Sequence, residues 1–380
     1  MSVANKTKVM FVVTEDWYFY SHRLLLALRL KELGYDVLLA TKVSKYEEQI
    51  SHLGIHVFPL KRLRRSSLNP FSELMSLVEL YIVLRKVRPD FLHLVAFKPV
   101  VHGCIVAKLL GIKKVINALG GLGSLFVSRG SMFARFLKFG LLFLCRILLN
   151  QSGFRVIVQN THDLDILQKR AKIKSSHLIL IPSVGVDTHR FSSTKIQATV
   201  PTAILASRML WEKGIGEFVL AASELKSEGL DARFILIGEP DIENPSSICI
   251  RQLKSWDNQG VVEWWGFQPN IAKMFSECWA VCLPSYYGEG VPKVLIEAMS
   301  SSRPIVTTKM PGCEDLIPLN GENGILVEPK NVGSLKIALK KLLTNKKLCS
   351  EMGKRGRKLA IEKYESTKII NQTISVYIEL

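Results

Sequence analysis

Residues 280–307 read AVCLPSYYGEGVPKVLIEAMSSSRPIVT, which is an apolar run, a turn rich in glycine and proline, a segment with helical spacing and a second apolar run. We predict strands at Ala280–Leu283 and Pro304–Thr307. A helix between them should begin near Pro292, because proline is favoured at the first helical position. A strand–helix–strand unit of this kind is typical of a parallel sheet, so the stretch predicts an α/β fold.

Apolar runs alternate with helical segments along the whole chain. The other predicted strands are Lys8–Val13, Val37–Thr41, Val57–Leu60, Phe91–Leu94, Val115–Asn117 and Val156–Gln159, then Ala203–Ala206, Phe234–Ile237, Val261–Trp264 and Gly324–Val327. They predict two doubly wound parallel sheets, divided by the polar stretch Arg190–Thr202. Ligands of such sheets bind at the carboxyl ends of the strands, so two facing domains would enclose a cleft. We predict domains at 1–190 and 191–364, and a helix at 365–380 that packs back toward the first domain.

The composition combines a sizeable apolar core with a basic excess. Of the 380 residues, 48% are hydrophobic, and the formal charge is +18. This charge favours an anionic partner, which could be nucleic acid, acidic lipid headgroups or a phosphorylated substrate. The cluster Lys61–Arg65 fits acidic lipid or a diphosphate, or is a solvated loop. The seven cysteines include no C-x-x-C pair, which indicates reduced thiols of a cytosolic protein and no structural metal.

Glu289 and Glu297 flank a turn that resembles an anion site. Gly290 can adopt backbone angles that other residues avoid, and the helix that begins near Pro292 would direct its N–H groups and positive dipole end at a phosphate. Glu297 lies in an apolar helix, where a carboxylate needs a partner such as ligand hydroxyl groups. Alternatively, Glu289 is only a helix N-terminal acid and Glu297 has a structural partner. This segment alone leaves both interpretations open.

Residues 131–150 form the segment most like a membrane element. The longest uncharged run, Phe139–Cys145, has seven residues, far fewer than the roughly 20 that span a bilayer. On a helix, Arg135, Lys138 and Arg146 fall within about 80° of one another and leave a broad Phe/Leu face. These residues could contact an anionic membrane surface from a helix lying in the interface. The alternative is that the apolar face packs on the sheet of its own domain.

Two cations follow the predicted strand Ala203–Ala206. Arg208 and Lys213 can clamp adjacent phosphates, the first through its planar fork and the second as a point charge. With the E-x7-E pattern of Glu289 and Glu297, this order resembles the retaining GT-B glycosyltransferases of family four, in the branch that makes bacterial O-antigen, capsule and lipid-linked oligosaccharides. Further matches are Ser21-His22-Arg23, Asn69-Pro70, Arg88-Pro89-Asp90, Lys98-Pro99, Leu119–Gly123, Gly238-Glu239, Gly266-Phe267 and Pro284-Ser285-Tyr286. The resemblance covers essentially the whole chain and implies two Rossmann-like domains facing each other across a cleft.

The resemblance also implies the roles of individual residues. Arg208 and Lys213 would neutralise the donor diphosphate, Glu289 would contact the transferred sugar and Glu297 would hold the ribose hydroxyls. The other implied donor residues are Gly290 and Val291 at the phosphates or sugar, Phe267 and Gln268 at the base, Glu239 in the phosphate loop, and Gly121 and Gly123 in a loop that approaches the diphosphate. Candidate acceptor residues are His22, Arg23, Lys98 and His102, although a single histidine on an apolar segment is more often structural.

The chain is therefore predicted to be a retaining, metal-independent glycosyltransferase without a cofactor. It would move an N-acetylhexosamine or a related sugar from a UDP-linked donor to a polyprenyl-diphosphate-linked saccharide, as a cytoplasmic protein peripheral on the inner face of the cytoplasmic membrane. Nucleic acid is not an expected partner, because no basic surface interleaved with aromatics or known binding module is present. The alternative is a non-catalytic nucleotide-sugar or polyanion-binding protein of the same fold, which would be expected to lack Arg208, Lys213 or one of the two glutamates.

Overall fold

The computed structural model describes residues 6–65, 69–122, 132–196 and 198–380. The chain divides into two compact units. Unit 1 consists of Met1–Val184 together with Ile369–Leu380, and unit 2 is Gly185–Lys368. The division lies a few residues before the boundary predicted at 190/191.

Unit 1 is built on a seven-stranded parallel sheet in the order β3-β2-β1-β4-β5-β6-β7. Its strands are β1 Lys8–Glu15, β2 Asp36–Lys42, β3 His56–Pro59, β4 Phe91–Val95, β5 Lys114–Ala118, β6 Phe154–Val158 and β7 Leu178–Leu180. Its helices are α1 Asp16–His22, α2 Leu24–Glu32, α3 Glu47–His52, α4 Pro70–Val87, α5 Phe97–Leu110, α6 Met132–Leu149 and α7 Thr161–Asp165.

Unit 2 is built on a six-stranded parallel sheet in the order β10-β9-β8-β11-β12-β13. Its strands are β8 Thr202–Ala206, β9 Arg233–Ile237, β10 Glu263–Trp264, β11 Ala280–Leu283, β12 Ile305–Thr308 and β13 Gly324–Val327. Its helices are α8 Ile215–Ser227, α9 Ile250–Asn258, α10 Ile271–Ser276, α11 Lys293–Ser300, α12 Val332–Leu343 and α13 Lys346–Lys363. The last helix, α14 Ser366–Ile378, begins in unit 2 and continues into unit 1.

The prediction of two parallel α/β sheets is confirmed, and each predicted strand is present. One further strand, the short edge strand β7, is not among those predicted. Two helices, α1 and α2, follow β1, because the backbone leaves helical geometry at Arg23, where φ is −125° and ψ is −13°. The second helix ends before Gly34, whose φ of 92° suits glycine.

Two layers of helices cover the sheet of unit 1. The core on one face joins the strands to α4, α5 and α6, and the core on the other face joins them to α1, α2, α3 and the C-terminal segment. His93 of β4 lies within the second core, stacked on Phe11, and Tyr377 of α14 hydrogen bonds to its Nδ1 at 2.5 Å. The C-terminal helix is thus part of the core of unit 1.

Among the described residues, no helix is both long enough and apolar enough to cross a bilayer.

Candidate active site

The charged residues singled out in unit 2 lie just after its strands. Arg208 follows β8, Glu239 follows β9, and Glu289 stands in the loop between β11 and α11, which carries Glu297. Because the strands are parallel, their carboxyl ends share one edge of the sheet, and that edge is where ligands of doubly wound sheets bind. The fold therefore brings these residues to one side of unit 2.

Arg208 forms an ion pair with Asp241 through Nη1 and Oδ2. The arginine side chain is 38% exposed, whereas that of the aspartate is 14% exposed. Asp241 lies in the loop after β9, and its own backbone N–H donates to Ser247 Oγ at 2.9 Å. The aspartate therefore holds the guanidinium fork from one side, while the other side stays accessible. Asp241 could not be predicted, because a polar loop residue far away in sequence carries no pattern that links it to Arg208.

Lys213 forms an ion pair with Glu289, so two residues singled out separately in the sequence are in direct contact. Both side chains are mostly buried, at 14% and 15% exposure. Ser285 Oγ lies 3.0 Å from Glu289 Oε1 and 3.1 Å from the carbonyl oxygen of Glu212. Ser285 was quoted only as part of a motif, and the structure identifies it as the residue that ties the glutamate to the lysine loop.

Glu297 has a different partner. Its Oε1 lies 3.4 Å from Nζ of Lys293, one turn earlier on α11. Burial raises the pKa of Glu297 above its usual range, although the neighbouring Lys293 acts in the opposite direction. A carboxylate at 13% exposure with one long ion pair is only partly satisfied, so it has acceptor capacity for ligand hydroxyl groups.

Helix α11 begins at Lys293, one residue after Pro292, close to its predicted start. Pro292 is the N-cap residue and makes no side-chain cap hydrogen bond. By contrast, α10, α12 and α13 of the same unit each begin with an asparagine side chain that accepts a backbone hydrogen bond. The start of α11, like the starts of α8 and α9, lacks the side-chain acceptor that these helices have, and this leaves room for an anion there.

A close backbone contact fixes the loop that carries Glu289. A Cβ atom on Gly312, whose φ is 82°, would lie 1.6 Å from the carbonyl oxygen of Gly290. No residue other than glycine fits there. Gly290 does not have a positive φ, so the backbone angle that only glycine adopts easily occurs at Gly312 and not at Gly290. The N–H of Glu289 donates to the carbonyl of Pro311 at 3.3 Å, which joins the two loops.

Of the remaining predicted donor residues of unit 2, Phe267, Gln268 and Glu239 are at least partly accessible. Phe267 is 52% exposed, and Glu239 is exposed. Gln268 donates from Nε2 to the carbonyl of Trp265 at 2.8 Å, which fixes the side chain beside Phe267. Val291 is buried, at 8% exposure. These positions suit a flat group held against Phe267, such as a nucleobase.

In unit 1, His22 and Arg23 lie where α1 meets α2. The His22 ring stacks on Tyr18 with 4.2 Å between centroids. Arg23 is 7% exposed, and its Nε has no hydrogen-bond partner among the described residues. Burial lowers the pKa of Arg23, and the nearby hydroxyl groups of Tyr18 and Tyr377 oppose that shift. A buried guanidinium with no carboxylate partner in the described part of the chain is unusual and can accept an anionic ligand.

Lys98 and His102 are both bound to Glu73. Nζ of Lys98 lies 2.9 Å from Glu73 Oε1, and Nε2 of His102 lies 3.1 Å from Oε2. His102 is buried and also contacts Ser76, whose Oγ lies 3.3 Å from Nδ1. Burial lowers the pKa of His102, with Glu73 opposing this effect. The cluster joins the first turn of α4 to α5, and an acceptor role for Lys98 and His102 stays a prediction.

The glycine loop after β5 is only partly described. Gly121 has a φ of 114°, and Gly123 lies outside the described residues. The N–H of Leu122 donates to Asp163 Oδ2 at 3.0 Å, and Asn160 Nδ2 donates to the same oxygen at 2.9 Å. Asp163 therefore anchors the described part of the loop. The sequence analysis missed it, although the N-x-x-D spacing of Asn160 and Asp163 is a helix-capping signal.

Helix α6 has two apolar faces. Cys145, Leu148 and Leu149 pack into the core of unit 1, whereas Phe139 and others are exposed. Of the three cations singled out on this helix, Arg135 and Arg146 are exposed and Lys138 is half-buried, where burial and then Arg170 lower the pKa of its ammonium group. Core packing and an exposed aromatic face therefore coexist, and the membrane role of the three cations stays a prediction. Part of the segment, residue 131 and several side chains, lies outside the described residues.

No group of three or more metal-ligating His, Cys, Asp or Glu side chains occurs among the described residues.

Two parallel-sheet units with paired cations and carboxylates at strand exits define the fold and site of a GT-B glycosyltransferase. Family comparison agrees with this class: residues 8–160 match the family described as glycosyl transferase 4-like, and residues 187–359 match glycosyl transferases group 1. The chain belongs to the GT-B glycosyltransferases that combine these two domains, among bacterial polysaccharide enzymes.

Curated relatives span nearly the same length. An N,N'-diacetylbacillosaminyl-diphospho-undecaprenol alpha-1,3-N-acetylgalactosaminyltransferase from Campylobacter jejuni is 26% identical over 94% of this chain and 95% of its own. A UDP-Gal:alpha-D-GlcNAc-diphosphoundecaprenol alpha-1,3-galactosyltransferase from Escherichia coli is 24% identical over 81% of this chain and 80% of its own.

Solved structures share the fold at lower identity. A glycosyltransferase from Rickettsia africae has a TM-score of 0.76 and 18% identity, over 99% of this chain and 98% of its own. Anabaena HepE in complex with UDP and glucose has a TM-score of 0.78 and 16% identity, over 98% of this chain and 100% of its own.

Proposed function

We propose that this glycosyltransferase moves a sugar, an N-acetylhexosamine or a related derivative, from a UDP-linked donor to a polyprenyl-diphosphate-linked saccharide in surface polysaccharide synthesis, with retention of anomeric configuration and without a metal ion. The single observation that carries the proposal is the contact between Lys213 and Glu289. Arg208 precedes Lys213 in the same loop after β8. Cations for a diphosphate and a carboxylate for a sugar thus stand on one edge of the sheet.

Departure of a nucleoside diphosphate leaves negative charge on the phosphate oxygens. Arg208 can meet it with a fork and Lys213 with a point charge, and the start of α11 adds a positive dipole end. Groups that are already oriented stabilise developing charge without reorganising. Asp241 and Glu289 orient the two cations before the donor binds. With this positive charge supplied by the protein, the diphosphate can leave without a metal ion.

The remaining donor contacts follow the positions of the side chains. We assign the ribose hydroxyls to Glu297, the transferred sugar to Glu289, the phosphates to the backbone of Gly290 and Val291, and the base to Phe267 and Gln268. We assign Glu239 to the phosphates as well, and Gly121 and Gly123 to the donor diphosphate, as the resemblance implies. The UDP assignment draws on the names of the E. coli relative and of the HepE complex.

The acceptor assignment draws on chemistry and on relatives. Both curated relatives described above are named for undecaprenyl-diphosphate-linked acceptors. A charge of +18, and a buried arginine whose Nε has no partner among the residues that the structure describes, suit a diphosphate. We assign Arg23 and His22 to the acceptor side of unit 1, where a diphosphate oxygen would satisfy the guanidinium. Such an acceptor is anchored in lipid, so the enzyme would work as a peripheral protein on the inner face of the cytoplasmic membrane.

Donor binding is tested by thermal shift with UDP, GDP, ADP and dTDP, each with and without magnesium. We expect UDP alone to raise the melting temperature, equally in both magnesium conditions, and Glu297→Ala to lose the shift. Glu351→Ala, an exposed glutamate of α13, is the matched control and should keep it. Stabilisation only in the presence of magnesium, or by another nucleotide, would contradict the metal or UDP assignment.

Catalysis is tested with the UDP-sugar and a short-chain polyprenyl-diphosphate saccharide. Loss of one preorganised donor lowers turnover by about 10²–10³-fold, so Arg208→Ala and Lys213→Ala should each show such a loss in kcat with unchanged folding. Lys340→Ala, which removes an exposed ion pair with Glu228, should retain the rate. Retention is read from the anomeric configuration of the product by NMR. Nucleotide binding without any transfer would favour a non-catalytic binding protein.

A further inference from the structure

Helix α4 presents an apolar stripe to solvent. Phe71 is 69% exposed, Leu74 53%, Val78 43% and Ile82 60%. Their spacing of three, four and four residues places them on one face of the helix. The opposite face, with Leu80 and Leu84, packs into the core of unit 1. A surface helix normally exposes polar residues, whereas this helix exposes apolar ones.

Helix α6 carries a stripe of the same spacing. Phe136 is 77% exposed, Phe139 69%, Phe143 54% and Ile147 43%. Helix α5 contacts both α4 and α6. Along its outer face Val101 and Ile105 are half-buried, and Leu109 is 70% exposed.

The three helices form one continuous layer. All of them contribute to the same core on one face of the sheet of unit 1. Each connects parallel strands, so each begins at the carboxyl edge of the sheet and runs back to the opposite edge. Their outer stripes therefore run side by side, and the three together form a broad apolar surface, which we call the α4–α6 face. A surface of this kind on a folded protein marks an interaction site.

The charged residues of the three helices are mostly positive. The three helices contain seven Lys or Arg residues and two Glu residues. Glu73 is bound to Lys98 and His102, and Glu79 accepts hydrogen bonds at 2.8 Å from the backbone N–H groups of Lys61 and Arg62.

The second of these glutamates, Glu79, fixes a basic loop beside the middle of α4. Lys61, Arg62 and Arg64 are exposed, and Leu63, at 1% exposure, anchors the loop in the core. Apolar stripes with a basic margin match an anionic lipid surface, which offers acyl chains and negative headgroups together.

We propose that the whole α4–α6 face lies on the anionic membrane, with α4 and its basic loop as a second contact beside α6. A second copy of the chain is disfavoured as the occupant, because it would oppose like charges across the contact. The inference rests on the proposed function for its biological purpose. The starts of α4 and α6 lie at the sheet edge where β4 and β5 end, so a membrane there brings a lipid-anchored diphosphate to the edge that carries Gly121.

The experiment is co-sedimentation of the full chain with vesicles of phosphatidylethanolamine and phosphatidylglycerol. The α4 variant is Phe71→Glu with Ile82→Glu, the α6 variant is Phe139→Glu with Phe143→Glu, and the control is Leu220→Glu with Ile337→Glu. The control residues are 56% and 69% exposed on α8 and α12 of unit 2, and so match the others in type and exposure.

We expect the wild-type chain to bind anionic vesicles, and to bind less as salt rises or phosphatidylglycerol is omitted. The α4 and α6 variants should each weaken the partition by about tenfold or more, since acyl contact is replaced by charge repulsion. The control should change it by less than about twofold. Circular dichroism should show the same folded state for all four proteins.

An α4 variant that binds as well as the wild type, or a wild type that ignores anionic vesicles, would overturn the inference. Sedimentation velocity gives a further check: a wild-type dimer that the α4 substitutions dissociate would assign the face to a second copy instead. Transfer to a short-chain acceptor in solution separates this inference from the proposed function. This transfer should be unaffected by the α4 substitutions. If the wild type bound vesicles but showed no transfer, the proposed function would be contradicted and the membrane contact would stand.

Discussion

Two arginines are almost entirely buried, one in each unit, and their surroundings differ. Arg303 of unit 2 is 1% exposed. Its Nε donates to the carbonyl of Phe275 at 2.6 Å, and its terminal nitrogens bond to Thr194, Ser276 and Ser302 between 2.8 and 3.1 Å. Arg23 of unit 1 is 7% exposed, and its Nε lacks a partner among the described residues.

The difference separates a structural cation from one that is available to a ligand. A folded chain rarely leaves a buried donor unpaired, because each such group costs about 1–3 kcal/mol. Arg303 meets this rule by joining the segment around Thr194 to the end of α10. Arg23 does not, which is understandable if a ligand supplies the missing acceptor.

The largest expected effect is on Arg303. Arg303→Met would remove the donors of the Ser276 and Thr194 carbonyl groups and one donor of the Phe275 carbonyl, and we expect the free energy of unfolding to fall by about 3–5 kcal/mol. Urea denaturation measures this change. Arg233→Met is the control, because its ion pair with Glu263 is at the surface, at 45% and 37% exposure, and such pairs contribute less than about 1 kcal/mol. Equal losses of unfolding free energy in the two variants would show that Arg303 stabilises the fold no more than a surface arginine does.

A smaller loss in the free energy of unfolding is expected at Tyr377, which lies near Arg23. Tyr377→Phe removes the hydroxyl that bonds to Nδ1 of His93, whose Nε2 already has no partner among the described residues. We expect about 1–2 kcal/mol of destabilisation in the same denaturation experiment. Tyr20→Phe, at a position 37% exposed, should have almost no effect. An unchanged Tyr377→Phe protein would show that this hydrogen bond does not hold α14 to unit 1.

Glu297 is a buried acid that the protein satisfies only in part, and its substitution should stabilise the fold. Because burial raises the pKa of Glu297 above the ordinary value of 4.5, the folded state holds the proton more tightly than the unfolded state. That contribution is fully present below the unfolded pKa and is lost as pH rises through the raised folded pKa. Glu297→Gln should therefore melt above the wild type near about pH 8, and the difference should disappear toward about pH 4. If the difference in melting temperature grew as the pH fell, the direction of the pKa shift would be wrong.

The smallest expected change in stability belongs to Arg23→Met. Replacing a buried unpaired charge by an apolar side chain of similar length is neutral or stabilising, within about 1 kcal/mol. Transfer should nevertheless fall by about tenfold or more through kcat/KM for the acceptor, with the donor KM unchanged, since one charged hydrogen bond to the ligand is lost. If Arg23→Met unfolds as readily as Arg303→Met, the contrast between the two arginines is lost.

Much of the fold could be predicted from the sequence because the core strands are apolar runs bounded by turns. Edge strand β7 escaped prediction, since Leu178–Leu180 is short and partly exposed and so lacks a strand pattern. The break at Arg23 was also missed. Arginine is a good helix former, and the apolar spacing continues on both sides of it, so only the burial of its side chain in the core of unit 1 indicates why the backbone turns there.

The candidate site was predictable where chemistry and position coincide in a short segment. Glu289 and Glu297 flank a recognisable turn, and Arg208 and Lys213 follow a strand. Lys293 lies four residues before Glu297 on the predicted helix, so this pair could have been found from the i,i+4 spacing. The partner of Arg208 was not predictable, because Asp241 is an ordinary polar residue until the fold places it near Arg208. Gly312 was missed for a similar reason: its contact with Gly290 depends on two loops meeting.

The division of the chain into units also constrains the order in which they can be completed. Unit 2 is continuous from Gly185 to Lys368, whereas unit 1 needs Ile369–Leu380 in addition to its first segment. A ribosome therefore finishes every residue of unit 2 before it adds Tyr377, which closes the core around His93. The first unit to be started is the last to be completed, and until then its sheet has an uncovered apolar patch that a growing chain must keep from misassembly.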